Sequence, residues 1–410
     1  MRGILGKTTG RELIAYSLML LMASLPFLMV LAPIVMVLFV VMVLLYGNWE
    51  ETKSRLMGNK VFPLFFIYYL IGVIGLFYSY QLGFKYSRIA SQLPLLLLPL
   101  FVSIANVEKE QIKKAKYVFV WSCLLLCILA FVTLGYNLAL NYEHRLNYNF
   151  IQRSMYHFHY PYDVLYINIA YVFLLSEEKL KTFRGWMGAV FFIFILLSGV
   201  RMGVFTFGVI STVYFIKNFR KIYSLQFVAK AIILGIVAVL MISSSKYAKD
   251  KFFDTLSNFG LGTEKYVSEI GSDYHKMSLR TMLWSSSFEL IKSKPILGFG
   301  PNGSQKFLEE QYQRNGYSNL EGFNSHNQFL TTTLNHGVVG LFSLLSIFIV
   351  LAYHAIKKKN WQQLLCIVVL FLAFNTESIL VRQKGVFVFA IILSLTMVEK
   401  DSRSLRKKVA

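Results

Sequence analysis

Residues 325–355 read SHNQFLTTTLNHGVVGLFSLLSIFIVLAYHA, and this stretch passes from a polar loop into a long apolar run. A hydrocarbon core of about 30 Å requires roughly 20 apolar residues in a helix, so the run is long enough to cross a membrane. His326 therefore lies where the loop ends and the helix begins. A neutral imidazole at this boundary can take a proton from an alcohol near neutral pH, which makes His326 the leading candidate for chemistry.

The same junction has a structural interpretation that does not require chemistry. Asn327 would cap the new helix by accepting hydrogen bonds from its free backbone N–H groups, and His326 would be part of that cap. His336 is a weaker candidate, because it precedes Gly337 at a position suited to a helix break or to close packing. We interpret His336 as structural.

The composition of the whole chain agrees with a membrane protein. Of 410 residues, 56% are hydrophobic and only 15% are charged, and the mean hydropathy is +0.53. A soluble domain of this size needs more charge on its surface, so we expect an all-α polytopic membrane protein. About twelve apolar runs are candidate spans, near 13–28, 30–46, 62–78, 89–105, 117–138, 162–176, 185–200, 202–216, 226–243, 327–355, 361–377 and 383–398.

Positive charge alternates between the segments that connect these runs. Lys and Arg concentrate in the N-terminal segment and in every second connection after it. The positive-inside rule places these segments inside the cell. Both termini are then expected in the cytoplasm. The net charge of +21 is explained by this topology and by attraction to anionic lipid, and it does not imply nucleic-acid binding.

This topology divides the chain into four parts. Residues 1–243 hold spans one to nine, 244–325 form one large loop outside the cytoplasm, 326–398 hold spans ten to twelve, and 399–410 form a basic cytoplasmic tail. Leu279, Leu283 and Leu290 fall on one helical stripe within the loop. An amphipathic helix that begins near residue 278, ends at Pro295, and lies on the membrane or caps a cavity is expected there.

Two arginines are candidates for binding a substrate anion. Arg201 lies in Ser198-Gly199-Val200-Arg201-Met202-Gly203, which separates two apolar runs with almost no loop. A guanidinium at the hydrocarbon boundary is costly unless it snorkels or pairs, so it marks a functional site or an interfacial anchor. Arg280 lies in the first turn of the expected amphipathic helix. Two guanidiniums can clamp a diphosphate because each binds oxygens bidentately, although Arg280 alone is more often explained as a solvated helix residue.

Other features of the sequence carry less chemistry. Gly298, Gly300 and Gly303 match the spacing of a dinucleotide-binding fingerprint, but they lie outside any alternation of strands and helices, so a turn is the better interpretation. Glu377 and Arg382 lie between the last two runs. We leave open whether these two residues form a structural ion pair.

The combination of these features resembles the superfamily of O-antigen ligases and O-antigen polymerases, which are membrane glycosyltransferases of the GT-C type. Members have about twelve spans, cytoplasmic termini and a large periplasmic loop between spans nine and ten. The ligase motif of the family matches here at His326 and Asn327, followed after nine residues by Gly337 and, two residues later, by Gly340. Arg201 matches the family's arginine at the start of span eight. The loop arginine of the family matches Arg280, with Trp284, Pro295, Gly298 and Gly300 behind it.

The resemblance implies an enzyme of the bacterial inner membrane that transfers a glycan from undecaprenyl diphosphate to an acceptor hydroxyl, with inversion. The acceptor would be lipid A core or another glycan, and no cofactor, metal, ATP or nucleotide sugar is expected. His326 would be the catalytic residue, Arg201 and Arg280 would bind the diphosphate, and Asn327, Gly337 and Gly340 would support the site. The alternatives are a repeat-unit polymerase, a protein O-oligosaccharyltransferase and a polysaccharide transporter.

Overall fold

The structure, a computed structural model, describes residues 7–27, 30–48, 52, 56, 61–79, 81, 86–105, 107–141, 148–157, 159–222 and 279–406. Within these ranges the regular elements are helices, and no strand occurs. The predicted span at 226–243 and the loop residues 244–278 lie outside the described residues. The all-α class is confirmed for the part of the chain that can be described.

The helices are labelled here in chain order. They are α1 (Lys7–Ser24), α2 (Leu31–Tyr46), α3 (Val61–Tyr78), α4 (Tyr86–Gln92), α5 (Pro94–Ile104), α6 (Lys109–Leu140), α7 (Tyr148–Ser154), α8 (Tyr160–Ser176), α9 (Arg184–Ser198), α10 (Arg201–Ile222), α11 (Leu279–Ser293), α12 (Ser304–Arg314), α13 (Gln328–Lys357), α14 (Trp361–Phe374) and α15 (Gln383–Arg406). Short 3₁₀ turns cover Glu178–Phe183, Ser318–Leu320 and Ile379–Val381.

Several of these helices can cross a membrane. In the described part of the chain, five helical segments have the required length and hydropathy: Val61–Tyr78, Ser87–Ile104, Lys109–Leu140, Glu178–Ser198 and Gln328–Lys357. Shorter apolar helices cover Leu31–Tyr46, Trp361–Phe374 and Gln383–Met397. The chain is therefore a polytopic membrane protein, and the count of twelve spans stays a prediction.

The centre of the bundle is formed by α8 and the first half of α15. Nearly every residue of α8 from Tyr162 to Leu175 is buried, and so are residues 386–393 of α15. Such helices are apolar all round because neighbours cover every face. α8 packs against α6, α9, α10 and α14, which places its N-terminal end beside the turn that joins α9 to α10.

A second, smaller core lies beside the bundle and positions the polar loop. It joins α11 and α12 to the beginning of α13 through Leu283, Leu308, Tyr312 and Leu334. The sequence predicts α11 as an amphipathic helix on the membrane or over a cavity. In the structure its apolar stripe packs on protein, since Leu283 and Leu290 are buried in this second core.

Candidate active site

His326 occupies an unusual backbone conformation at the start of α13. Its φ is +43°, in the left-handed region that non-glycine residues rarely enter. The side chain of Asn324 holds this turn by accepting a hydrogen bond from the His326 N–H at 2.8 Å. Asn327 then caps α13, because its Oδ1 accepts from the N–H groups of Phe329 and Leu330. Uncommon backbone conformations of this kind cluster at functional sites.

The imidazole of His326 is paired with a carboxylate that comes from a distant part of the chain. Its Nδ1 lies 3.0 Å from Oε2 of Glu377, in the connection that follows α14. The other carboxylate oxygen accepts from the N–H of Ser378 at 3.0 Å. Among the described residues Glu377 is therefore paired with His326 and not with Arg382, which answers the question that the sequence leaves open.

Glu377 is ionised at neutral pH. Burial raises the pKa of this carboxyl, but the hydrogen bond from His326, the charge of that residue and the Ser378 N–H together bring the pKa below its ordinary value of 4.5. An ionised carboxylate can only accept hydrogen bonds, so the proton of a neutral His326 ring resides on Nδ1. The lone pair of the ring is then on Nε2. The His326 side chain is 31% exposed, so a substrate can reach it.

A buried polar network fixes the His326 loop to the connection that carries Glu377. The hydroxyl of Ser378 donates to Asn324 Oδ1 and lies 2.7 Å from the hydroxyl of Thr331. Thr331 Oγ1 is in turn 2.7 Å from the hydroxyl of Ser325. Ser325 and Ser378 are completely buried. A network of this kind is rigid when each member is satisfied, so the pair His326–Glu377 is held before any substrate arrives.

The glycine of the sequence motif breaks α13. Gly337 has φ +61° and ψ −161°, a conformation essentially restricted to glycine. The chain segment after α11 occupies this break: the N–H groups of Phe299 and Gly300 donate to the carbonyls of Leu334 and Asn335, and the N–H of Val338 donates to Pro295. Gly298 of the rejected dinucleotide pattern allows the two backbones to approach each other, since a Cβ there would lie 2.6 Å from the carbonyl oxygen of Leu334.

The second glycine of the motif makes room for His336. A Cβ on Gly340 would lie 2.3 Å from the Cβ of His336, which is one helical turn earlier. A Cβ on Gly75 of α3 would lie 2.8 Å from Nδ1 of the same ring. Both positions consequently require glycine if the buried His336 ring is to stay where it is.

Arg201 is the first residue of α10 and its side chain is exposed. Gly199, with φ +71°, ends α9 and turns the chain directly into α10. Val200 and Gly203, on either side of Arg201, line a cavity of about 30 Å³ together with Glu377. A volume of this size holds only one or two water molecules, so no sugar can enter it. It nevertheless shows that the turn that carries Arg201 lies beside Glu377.

Arg280 is carried by α11, a helix that is attached to the His326 loop. It is exposed in the first turn of α11, one helical turn before Trp284, so the two side chains share a face of the helix. Trp284 Nε1 donates to the carbonyl of Ser325 at 3.1 Å and attaches α11 to the His326 loop. Within the described residues neither Arg201 nor Arg280 forms an ion pair or hydrogen bond with His326 or Glu377. The convergence of the three predicted site residues on one substrate remains a prediction.

Comparison with known proteins gives the family. Residues 186–345 match the family model described as O-antigen ligase. The match assigns residues 186–345 to the O-antigen ligase superfamily. The chain is also 25% identical over 183 residues to an uncharacterized protein of Haemophilus influenzae (strain ATCC 51907 / DSM 11121 / KW20 / Rd). That alignment covers 41% of this chain and 46% of the relative, so it spans less than half the length of either protein.

The segment that matches the O-antigen ligase superfamily contains Arg201, Arg280, His326, Gly337 and Gly340. Glu377 lies outside it, and sequence reasoning did not connect this residue with His326. One signal could have done so. A carboxylate at the outer end of an apolar run is costly unless it has a partner, and His326 is expected at the same boundary.

Proposed function

We propose that the chain is an O-antigen ligase-type glycosyltransferase, which moves a glycan from undecaprenyl diphosphate to an acceptor hydroxyl, with lipid A core as the expected acceptor. The observation that carries the proposal is the His326–Glu377 pair. His326 is accessible, and the ionised carboxylate of Glu377 holds its ring through Nδ1, so Nε2 is free. A pair of this kind is suited to accept a proton from an attacking alcohol. The match of residues 186–345 to the O-antigen ligase family supports the class of reaction.

The proposed reaction is a single in-line displacement. Nε2 of His326 accepts the proton of the acceptor hydroxyl while the oxygen forms a bond to the anomeric carbon. The bond from this carbon to the diphosphate oxygen breaks, and the diphosphate leaves with the electron pair, so the configuration inverts. Glu377 stabilises the positive charge that forms on His326 and keeps the ring oriented.

The leaving diphosphate gains negative charge during this step and requires cations. Arg201 and Arg280 are both exposed. The turn before α10 borders Glu377, and Trp284 of α11 donates to the His326 loop. Guanidiniums placed in advance stabilise charge that develops in the transition state. We propose that the two residues form this clamp around the diphosphate.

The reaction would take place at the periplasmic face of the bacterial inner membrane. The charge pattern favours cytoplasmic termini and places both the His326 loop and residues 244–325 on the opposite side. The twelve spans, the four-part division of the chain and this location are parts of the proposal. They are testable by cysteine labelling from each side of the membrane.

A repeat-unit polymerase is the second candidate, because it would use the same donor and the same pair His326–Glu377. The complete motif from His326 to Gly340 favours the ligase. A protein O-oligosaccharyltransferase would differ only in its acceptor. A transporter is less favoured, since charged residues near the membrane midplane are expected for that class and the candidate residues here lie at the boundary.

The test is complementation in a Gram-negative host that makes O-antigen but lacks its own ligase. We expect this chain, produced in the membrane, to restore lipid A core capped with O-antigen, as seen by lipopolysaccharide gel profiling. The empty vector is the control. Longer carrier-linked chains in a polymerase-deficient host, without capping in the ligase-deficient one, would contradict the ligase and support the polymerase.

Replacing Glu377 with Gln tests the carboxylate that orients His326. A neutral amide keeps the shape but changes a charge-assisted hydrogen bond into a weaker neutral one, so we expect transfer to fall about tenfold. Glu321→Gln is the matched control, because it removes an exposed carboxyl from the same loop region. The measurement is the initial rate of transfer with purified protein. Equal rates for Glu377→Gln and the wild type would remove Glu377 from the mechanism.

The proposed arginine clamp predicts a dependence on charge and on geometry. We expect Arg201→Gln and Arg280→Gln each to lower transfer by about tenfold or more, since a hydrogen bond to a charged group contributes about 1.5–3 kcal/mol. Lys at either position should restore only part of the transfer rate, because an ammonium group cannot bind two oxygens in a fork. Rates measured with a saturating donor would check this. Full activity of the double Gln variant would contradict the clamp.

A further inference from the structure

A larger cavity lies next to the His326 loop and has no part in the mechanism above. Its volume is about 170 Å³, and it is enclosed by α3, α4, the first turns of α13 and the 3₁₀ turn Ile379–Val381. Gln328 and Thr331 line it on one side, and Thr331 belongs to the polar network that fixes His326. The cavity is therefore adjacent to the proposed base. Its other polar lining residues are Tyr68, Tyr69, Arg88, Ser91, Gln92, Asn335 and His336.

The charge of this cavity is positive. Among the described residues that line the cavity, Arg88 alone carries a permanent charge, and none has a carboxylate. No described residue forms an ion pair or a hydrogen bond with the Arg88 guanidinium. A permanent cation in such a position at the membrane is expensive without a partner, and it commonly marks a place where an anion binds.

His336 provides a second, independent observation. The residue is only 8% exposed, it lines the cavity, and its Nδ1 has no hydrogen-bond partner among the described residues. Nδ1 packs against Gly75, and the remaining exposed part of the ring lines the cavity, where a ligand can reach it. The ring is kept in place by three glycines: Gly75 and Gly340 leave it room, and Gly337 breaks the helix directly after it.

Most other polar groups of the cavity already have partners. Gln328 donates to Thr332 and accepts from the N–H of Leu380, and Gln92 donates to the carbonyl of Leu380. Arg88 and His336 are thus among the lining side chains whose hydrogen-bonding capacity is left unused. A guanidinium with a neighbouring imidazole binds phosphate oxygens through several charge-assisted hydrogen bonds, whereas a neutral sugar would leave the charge uncompensated.

We propose that this cavity binds a phosphoryl group of one of the two substrates through Arg88 and His336. The proposal rests on the proposed function for the identity of those substrates. The phosphoryl group comes either from the carrier diphosphate of the donor or from a phosphorylated sugar of the acceptor. In both cases it would lie beside the network of Thr331, so the bound substrate would be oriented toward His326.

The first experiment measures binding without transfer. Full-length protein in detergent is titrated with inorganic diphosphate by microscale thermophoresis. The parent for this test is the variant with both Arg201→Gln and Arg280→Gln, in which only the remaining diphosphate binding is seen. We expect the addition of Arg88→Gln to this parent to raise the Kd for diphosphate by about tenfold or more. Arg88→Lys should retain part of this binding. Identical binding with and without Arg88→Gln in that background would overturn the proposal.

A second variant covers the case in which Arg88→Gln fails to fold. His336→Gln keeps a polar side chain but removes the ring, and it should weaken diphosphate binding in the same background. Gly135→Ala, where an added Cβ meets nothing within 4 Å, is the matched control for a change in a membrane helix. If His336→Gln folds and binds diphosphate as its parent does, the site does not exist as described.

Competition identifies the source of the phosphoryl group. In the variant that lacks Arg201 and Arg280, displacement of diphosphate by undecaprenyl diphosphate would assign the cavity to the donor. Displacement by rough lipopolysaccharide, but not by the same material after removal of its phosphates, would assign it to the acceptor. Displacement by neither would overturn a role in substrate binding. All three results are independent of transfer, so failure of the proposed ligase activity would be seen separately.

Discussion

Replacing His326 with Asn is expected to lower the rate of glycan transfer by about 10²- to 10⁴-fold, the usual contribution of a general base. Asn is the informative substitution because the backbone of His326 has φ +43°, and Asn tolerates this region better than Ala. His326→Asn thus removes the proton acceptor with little additional strain. The rate is measured with purified protein, a lipid-linked donor and a lipopolysaccharide acceptor.

Two controls separate chemistry from folding in this experiment. His354→Ala removes an imidazole at the other end of the same helix, α13, and should leave the rate unchanged. Addition of imidazole to His326→Gly should restore part of the activity, since a small base can enter the space left by the ring. A folded His326→Asn protein with the full wild-type rate would show that the reaction needs no base at this position.

The sequence predicts local features of this chain well and long-range pairs poorly. Apolar runs, the short turn before Arg201 and the capping Asn327 depend on neighbours in the chain, and the structure has α10 beginning at Arg201 and the Asn327 cap in place. The partner of His326 is 51 residues away, at Glu377. Periodicity carries no information on such a contact, because it is created by the packing of α13 against α14.

The motif glycines illustrate the same limit. Their spacing matches the motif of the O-antigen ligases, and the sequence suggests a helix break near Gly337. It does not reveal that the segment from Pro295 to Gly300 fills this break with backbone hydrogen bonds. It also gives no reason to connect Arg88 with His336, since α4 and α13 approach each other only in the folded protein.

The largest structural effect is expected for Gly337→Ala. A Cβ at this position would lie 2.0 Å from the carbonyl oxygen of Ile296, and the backbone conformation is one that alanine avoids. Strain of this kind costs about 1–3 kcal/mol. Separation of the two segments would also break the hydrogen bonds from Phe299, Gly300 and Val338, each of which contributes about 1 kcal/mol. We expect a total destabilisation of about 3 kcal/mol or more.

The consequence of Gly337→Ala should reach the active site through α13. The helix segment between Asn327 and His336 carries the His326 loop at one end and the break at the other, so movement of the break displaces the loop. Thermal unfolding in detergent should show a lower midpoint, and the folded fraction should have reduced transfer. Gly208→Ala, on α10 where an added Cβ meets nothing within 4 Å, should leave both unchanged. An unaltered midpoint for Gly337→Ala would mean that residues 295–300 do not occupy the break of α13.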